Sequence, residues 1–347
     1  MSSVTFADVQ AAKKRISPFI NKTPVLESQL LNSWLGHKIM FKAECFQKTG
    51  AFKIRGALNM LLKAKEDGRL GTHVVASSSG NHAQAVAYAA KILGVNATIF
   101  SAHNVSKVKA AATLYYGATL DLSATRKEAD EKVAEAAKKE GVLWMPPFNH
   151  NDIIAGQGTA TLEALEQTGE VDSVFAPVGG GGLVSGSLIS TKALYPNARV
   201  VGAEPLVAND AAQSLRTGVI QSLPEQPDTL ADGAATLQVG EKTFPHLQAL
   251  DGFYEVDEIK IAYWTQWLQH LLKIHVEPTC AMSMGAVVEW LKLQNSIENG
   301  VKKGVKKGAN SGQQRVLVML SGGNIDQQKM LKIWQNDHLQ QIPNLLI

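Results

Sequence analysis

Two features of this sequence bring reactive groups into settings that would change their chemistry. The first is Lys53, in the stretch Lys48-Thr49-Gly50-Ala51-Phe52-Lys53-Ile54-Arg55-Gly56-Ala57. Most lysines are solvated surface charges. Between Phe52 and Ile54, with small residues around them, the amine is shifted toward its neutral, nucleophilic form. The second is a run of four glycines, Gly179, Gly180, Gly181 and Gly182. A glycine run between an apolar strand and an apolar helix leaves backbone N–H groups uncovered. The helix then adds its positive dipole end, which makes a cup for a phosphate. A flexible linker would be glycine-rich too, but linkers seldom join a strand directly to a helix.

The run does not match G-x-x-x-x-G-K-[ST], because no Lys-Ser or Lys-Thr follows it. Nor is it a G-x-G-x-x-G turn, although Glu204 stands roughly 20 residues on, where a dinucleotide fold places an acid. A nicotinamide-dependent oxidoreductase therefore stays open as an alternative from a different class. A neutral lysine beside a phosphate cup points instead to a Schiff base with pyridoxal phosphate.

These groups need a scaffold. From Thr72 onward, short β-branched runs alternate with helical patterns. Strands are expected at 74–76, 97–100, 119–122 and 143–145, with helices at 81–93, 105–115 and 125–139 between them. After a break at Pro146-Pro147 come a helix at 154–167, a strand at 173–177 and a helix from the glycine run to Leu194. Strands follow at 199–204, 252–256 and 315–320, with helices at 257–273 and 281–293. This βαβα rhythm predicts an α/β fold with mostly parallel sheets covered by helices. Three junctions share a Ser/Gly-rich turn: Ser77 to His82, Gly179 to Gly182, and Ser321-Gly322-Gly323-Asn324. Ligands of open parallel sheets bind beyond the carboxyl ends of strands, so the three turns are expected to face one crevice. The polar, Gly-rich stretch 298–314 reads as an exposed loop.

Composition narrows the class. The 347 residues carry 34 Lys plus Arg against 31 Asp plus Glu, a net charge of +3. That is too weak for a nucleic-acid footprint or a membrane-surface patch. At 45% hydrophobic and 19% charged, the chain is an ordinary globular one with an ample core. About 150 residues per domain makes two domains the expectation. Two cysteines, Cys45 and Cys280, exclude a disulfide framework or a Cys-rich zinc site and point to a reducing compartment. Asp8, Lys13, Lys14 and Arg15 stand where a signal peptide would be apolar. No uncharged apolar run of about 18 residues occurs, so a cytoplasmic protein is expected.

Taken together, the motifs resemble the serine racemase and serine/threonine dehydratase family, the fold-type II pyridoxal-phosphate enzymes. The resemblance runs from Thr5-Phe6-Ala7-Asp8-Val9 to Ser321-Gly322-Gly323-Asn324. It implies a small substrate-closing domain, 72–147, inserted in a large cofactor-binding domain made of 1–71 and 148–347. It implies that Lys53 links to the cofactor and serves as acid and base on one face of the substrate Cα. Phe52 would pack on the cofactor ring and Asn81 would bond its 3-hydroxyl. Gly179, Gly180, Gly181 and Gly182, with the Leu183 N–H, would hold the phosphate, and Ser321 would contact the pyridine nitrogen. Ser78, Ser79, Gly80, Asn81 and His82 would receive the substrate carboxylate, with Gly233 nearby.

The resemblance also carries finer expectations. A neutral serine at the ring nitrogen does not force its protonation, which weakens the electron sink and favours expulsion of a β-leaving group. Racemisation needs an acid on the face of Cα opposite the lysine, and Ser79 stands where the family's racemases have theirs. Capping of the following helix is the structural alternative for Ser79, and His82 reads first as a structural helix-face residue. Glu204, Ala208 and Asp210 match the family's divalent-metal loop. Two carboxylates and a carbonyl are hard oxygen ligands suited to Mg²⁺, Ca²⁺ or Mn²⁺. The implied enzyme is a pyridoxal-phosphate-dependent serine racemase with serine/threonine dehydratase activity, homodimeric, with a nucleotide as a candidate activator. The alternative is a threonine or threo-3-hydroxyaspartate dehydratase with little racemase activity. The stretch Pro146-Pro147-Phe148-Asn149-His150-Asn151-Asp152 resembles the dehydratase side of the family.

Overall fold

Ten strands build two sheets in the computed structural model, which describes residues 3–103, 105, 107–302 and 312–345. The strands are β1 (Val25–Glu27), β2 (Lys38–Ala43), β3 (His73–Ser77), β4 (Asn96–Ala102), β5 (Thr119–Ser123), β6 (Val142–Trp144), β7 (Ser173–Pro177), β8 (Arg199–Pro205), β9 (Gly252–Val256) and β10 (Arg315–Leu320). One sheet runs β1-β2-β10-β7-β8-β9 and the other β5-β4-β3-β6. Every neighbouring pair is parallel except β1 with β2. The smaller sheet comes wholly from one internal stretch of chain, and the larger from the stretches on either side of it. This is the α/β architecture expected, with both sheets open and mostly parallel.

The differences lie at the ends of the chain. β1 and β2 precede Thr72, a region where the pattern predicts no strand. The apolar run of β2 is broken in the sequence by Lys42, yet its side chain is fully buried and its Nζ lies 2.6 Å from Glu163 Oε1. A charge that reads as surface is here neutralised inside the protein. At 298–314 the expected loop begins as helix, because the helix Pro278–Lys302 runs into it. No glycine or proline interrupts the sequence between Leu293 and Asn299; of the remainder, 303–311 lie outside the described residues and 312–314 are irregular. The helix expected at 105–115 spans Lys107–Tyr115. The one expected at 125–139 spans Arg126–Ala136, with the Thr125 side chain accepting from Glu128 N as its cap.

The helix Lys53–Glu66 ties the two sheets together. Its Ile54, Ala57, Leu58 and Leu61 share a core with Val74, Ala76, Val86 and Ile99 of the smaller-sheet half. Each large apolar side chain among them, fully buried, contributes about 1.5–3 kcal/mol. Its other face meets the helix Asn151–Thr168, where a Cβ on Gly156 would lie 2.6 Å from Gly56 Cα, so only glycine permits the approach. Its first turn is fixed by Arg55, which is wholly buried. The guanidinium holds Glu44 through both oxygens, at 2.7 and 2.8 Å, and reaches Glu163 Oε1 at 3.1 Å. Lys42, Arg55, Glu44 and Glu163 thus balance two cations with two anions, the condition under which buried charge is tolerated.

Candidate active site

The cavity opens beyond the carboxyl ends of β3, β7 and β10. It has a volume of about 190 Å³, and Ser77 to His82, Gly179 to Leu183, Lys53 and Ser321 all contribute to its walls. The three Ser/Gly-rich turns do face one crevice. Lys53 is the first residue of its helix. The preceding residue is docked onto the third turn: Phe52 N donates to Ser321 O at 2.9 Å, and Ala51 bridges Gly322. Lys53 Nζ donates to the Pro147 carbonyl at 2.9 Å and sits 5.2 Å from the centre of the Phe52 ring. Burial pulls its pKa from 10.5 down to about 8, against the attraction of Glu277. The amine is therefore substantially neutral just above physiological pH.

The glycine run curls against Phe148. A Cβ on Gly180 would lie 2.2 Å from that ring, and Gly181 has φ +89°, a conformation side chains avoid. Thr243 Oγ1 donates to Gly180 O at 2.7 Å, which occupies the loop's carbonyl on the far side. The helix Gly182–Leu194 begins with no side-chain cap, so its first N–H groups are left for a ligand. Open donors at a helix N-terminus, a cradle too tight for any Cβ, and a near-neutral lysine amine fit a phosphate-bearing aldehyde cofactor.

Another wall is the turn after β3. Ser78 Oγ accepts from Gly80 N at 3.2 Å. The residue capping the helix Asn81–Leu93 is Gly80, with no side-chain bond. Ser79 is therefore not its cap; it is exposed at the cavity rim. Asn81 Nδ2 donates to both oxygens of Glu277, at 3.0 and 3.2 Å, and its Oδ1 accepts from Asn324 Nδ2 at 2.9 Å. His82 is buried, with Nε2 2.8 Å from the Met145 carbonyl. Burial, with Lys53 nearby, pushes its pKa down to about 3, so the ring is neutral and anchored. Gly233 N donates to Thr279 Oγ1 at 3.0 Å, and the cavity wall passes through both residues.

Three groups in this wall escape a reading of the sequence. Glu277 is 1% exposed, and its Oε1 lies 3.2 Å from Ser321 Oγ. Lys109 Nζ meets Asp232 Oδ2 at 2.7 Å. Burial disfavours the Lys109 charge, but Asp232 and Glu277 outweigh it and the net shift is upward. Arg126, whose Nε lies 2.9 Å from Asp130, also borders the cavity. A lone acid between Val276 and Pro278 is the only signal for Glu277; for the two cations the sequence has none.

A family model described as pyridoxal-phosphate dependent enzyme matches residues 16–322. The chain belongs to that family. Its fold is that of the family's fold-type II members. The L-threo-3-hydroxyaspartate ammonia-lyase of Saccharomyces cerevisiae is 39% identical over 327 residues, which cover 94% of each chain. The crystal structure of serine racemase from Dictyostelium discoideum superposes with TM-score 0.82 at 37% identity, covering 94% of this chain and 100% of that one. The structure of maize serine racemase superposes with TM-score 0.82 at 34% identity, covering 98% and 99%. Among the described residues, no helix of this family member is long and apolar enough to cross a membrane.

The expected metal loop of this pyridoxal-phosphate enzyme lies away from the cavity, whose walls include none of Glu204, Ala208 and Asp210. Both acids are 1% exposed. Glu204 accepts from Ala212 N at 2.6 Å and from Ala211 N at 3.2 Å, while Asp210 Oδ2 has no partner. Burial raises Glu204 to about 9 and Asp210 to about 7. Two carboxylates held at such cost, one with an orphaned oxygen, fit a hard cation with water completing its shell. No group of three or more His, Cys, Asp or Glu among the described residues could hold a metal. A dinucleotide enzyme would need Glu204 beside its ligand, and Glu204 is not there.

Proposed function

We propose that this enzyme interconverts L- and D-serine and dehydrates serine and related β-hydroxy amino acids to a 2-oxo acid and ammonia. The observation that carries the reading is the placement of Lys53 and Ser79 on two walls of one cavity, with the Ser79 hydroxyl free of any capping role. When bound, pyridoxal phosphate withdraws electrons from the substrate Cα and so acidifies its proton.

The chain's own residues do the rest. The N–H groups of Gly179 to Leu183 hold the phosphate, Phe52 supports the ring, Asn81 meets the 3-hydroxyl, and Ser321 stands at the pyridine nitrogen. The turn Ser78 to His82, at an uncapped helix N-terminus, receives the α-carboxylate. Lys53 takes or returns the Cα proton on one face, helped by its lowered pKa. Ser79 does so on the other, which gives the epimer; when the β-hydroxyl leaves as water, hydrolysis of the resulting enamine gives the oxo acid and ammonia.

Residues 72–147 form the small domain in this reading, held to the large one by the Lys109–Asp232 pair. Glu204, Asp210 and the Ala208 carbonyl hold Mg²⁺, Ca²⁺ or Mn²⁺ in a structural or activating role. The enzyme is a homodimer, with a nucleotide as candidate activator. Cys45 and Cys280 are unpaired, which suits a reducing cytoplasm. A second reading, a threo-3-hydroxyaspartate or threonine dehydratase, is favoured by Arg126 in the cavity wall, where a guanidinium can meet a second carboxylate. Incubation with L-serine, L-threonine and the 3-hydroxyaspartates, scoring D-serine and oxo acid, separates the two.

A further inference from the structure

Glu277 has no role in the reaction as set out above, yet it is the most completely buried acid in the cavity wall. One carboxyl group joins the two residues placed at opposite edges of the cofactor ring. Asn81 Nδ2 reaches it from the 3-hydroxyl side and Ser321 Oγ from the pyridine-nitrogen side. Hydrogen counting limits what this chain can present to the ring. A serine hydroxyl has one hydrogen and two lone pairs. If Glu277 is a carboxylate, it takes that hydrogen, and Ser321 turns only lone pairs toward the ring nitrogen. That nitrogen must then carry its own proton. If Glu277 is a neutral acid, its O–H is given to Ser321 Oγ, and the Ser321 hydrogen is free for an unprotonated ring nitrogen.

We propose that Glu277 is a neutral carboxylic acid that donates to Ser321 and thereby orients the Ser321 hydroxyl to donate to the ring nitrogen, making Glu277 a positioning residue for the cofactor's protonation state. The distances agree with this assignment. Asn81 Nδ2 donates to both carboxyl oxygens, at 3.0 Å to Oε2 and 3.2 Å to Oε1, so Oε2 has a donor of its own and can serve as the carbonyl oxygen. Oε1 is the oxygen within reach of Ser321 Oγ, at 3.2 Å, and is the one that carries the hydrogen in this assignment. Burial holds Glu277 toward its neutral form, and Asp232 adds to that; Lys109, Asn81 and Ser321 work against it. Lys53, Cys45 and Cys280 are the other titratable groups that feel Glu277. No proton is transferred in the resting state; at high pH the Glu277 proton passes to solvent, and the hydroxyl of Ser321 reverses.

The inference rests on Ser321 standing at the ring nitrogen, as proposed above. The test is the ¹⁵N shift of the ring nitrogen in holoenzyme reconstituted with ring-labelled cofactor, followed from neutral to alkaline pH. The wild type is expected to show an unprotonated nitrogen near neutrality and a transition at high pH. Glu277→Gln, whose amide donates as the neutral acid does, should keep the neutral-pH shift and lose the transition. Ser321→Ala should alter the neutral-pH shift. A protonated nitrogen in the wild type near neutrality overturns the proposal, as does a transition retained in Glu277→Gln. A Ser321→Ala shift equal to wild type overturns it differently, by removing Ser321 from the ring nitrogen. Should Glu277→Gln not fold, wild type against Ser321→Ala decides: loss of the transition supports the relay and its retention overturns it.

Discussion

Lys109 Nζ and Asp232 Oδ2 lie 2.7 Å apart in the cavity wall, Lys109 from the smaller-sheet half of the chain and Asp232 from the larger. The Lys109 side chain is only 8% exposed, so the pair is poorly screened. Lys329 Nζ, 3.6 Å from the same carboxylate, is its only other cationic neighbour in ion-pair range among the described residues. If this pair holds the halves closed over substrate, Lys109→Met raises KM for serine about tenfold, or about 1.4 kcal/mol. Steady-state kinetics check this; an unchanged KM removes the pair from closure.

Lys53 yields a pH dependence. Its folded-state pKa is lowered to about 8, so the neutral amine grows as pH rises toward that value. The rate at which the cofactor-free enzyme captures pyridoxal phosphate should rise with pH and level off above about 8. Capture gives a yellow band near roughly 410–430 nm, the range of this cofactor class. Lys53→Ala should bind the cofactor without that band. A rate still climbing steeply at a pH of about 10, where an ordinary lysine titrates, contradicts the lowered pKa.

The glycine cradle makes a steric prediction. In Gly180→Ala the new Cβ meets the Phe148 ring at 2.2 Å, and the ring must move into the phosphate cup or the loop must open. Cofactor affinity should fall at least about tenfold by spectral titration. Adding Phe148→Ala removes the clash and should restore part of the loss. Failure of the double variant to recover affinity would assign the defect to the backbone instead.

Arg55 supports Lys53 from beneath. Removing it leaves Glu44 and Glu163 buried against only Lys42, and breaking such a pair costs about 3–5 kcal/mol. Arg55→Ala should lose about that much stability in denaturant unfolding. A loss under about 1 kcal/mol would show that water enters the site and replaces the guanidinium.

The proposed ion at Glu204, Ala208 and Asp210 is tested by chelation. A cation held at about 100 times its Kd stabilises the fold by about 2.7 kcal/mol. EDTA should therefore lower the melting temperature, Mg²⁺ or Ca²⁺ should restore it, and Asp210→Ala should respond to neither. Identical melting with and without chelator rules the ion out.

Much of the fold is legible in the sequence because hydrophobic period and turn chemistry are local. The strands Ser173–Pro177 and Gly252–Val256 and the helix Asn81–Leu93 lie where the pattern puts them. So do the three turns, because Ser/Gly-rich junctions after apolar runs mark strand ends. β2 is hidden by Lys42, whose burial depends on Glu163, far along the chain. Glu277 and Lys109 are hidden for the same reason: each gains meaning from a partner that only the folded chain supplies. Gly180 is legible as a glycine, but the need for it, the Phe148 ring, is not.

In the proposed reaction one cavity supports both proton return on the second face and loss of the β-hydroxyl. The most direct measurement is incubation of purified holoenzyme with L-serine, with D-serine and pyruvate followed over time, in wild type and Ser79→Ala. The wild type should form both products. Ser79→Ala should lose D-serine formation at least about a hundredfold, about 2.7 kcal/mol of barrier, while pyruvate formation from L-serine falls far less. Pyruvate without D-serine in the wild type, or equal loss of both products in Ser79→Ala, would contradict it.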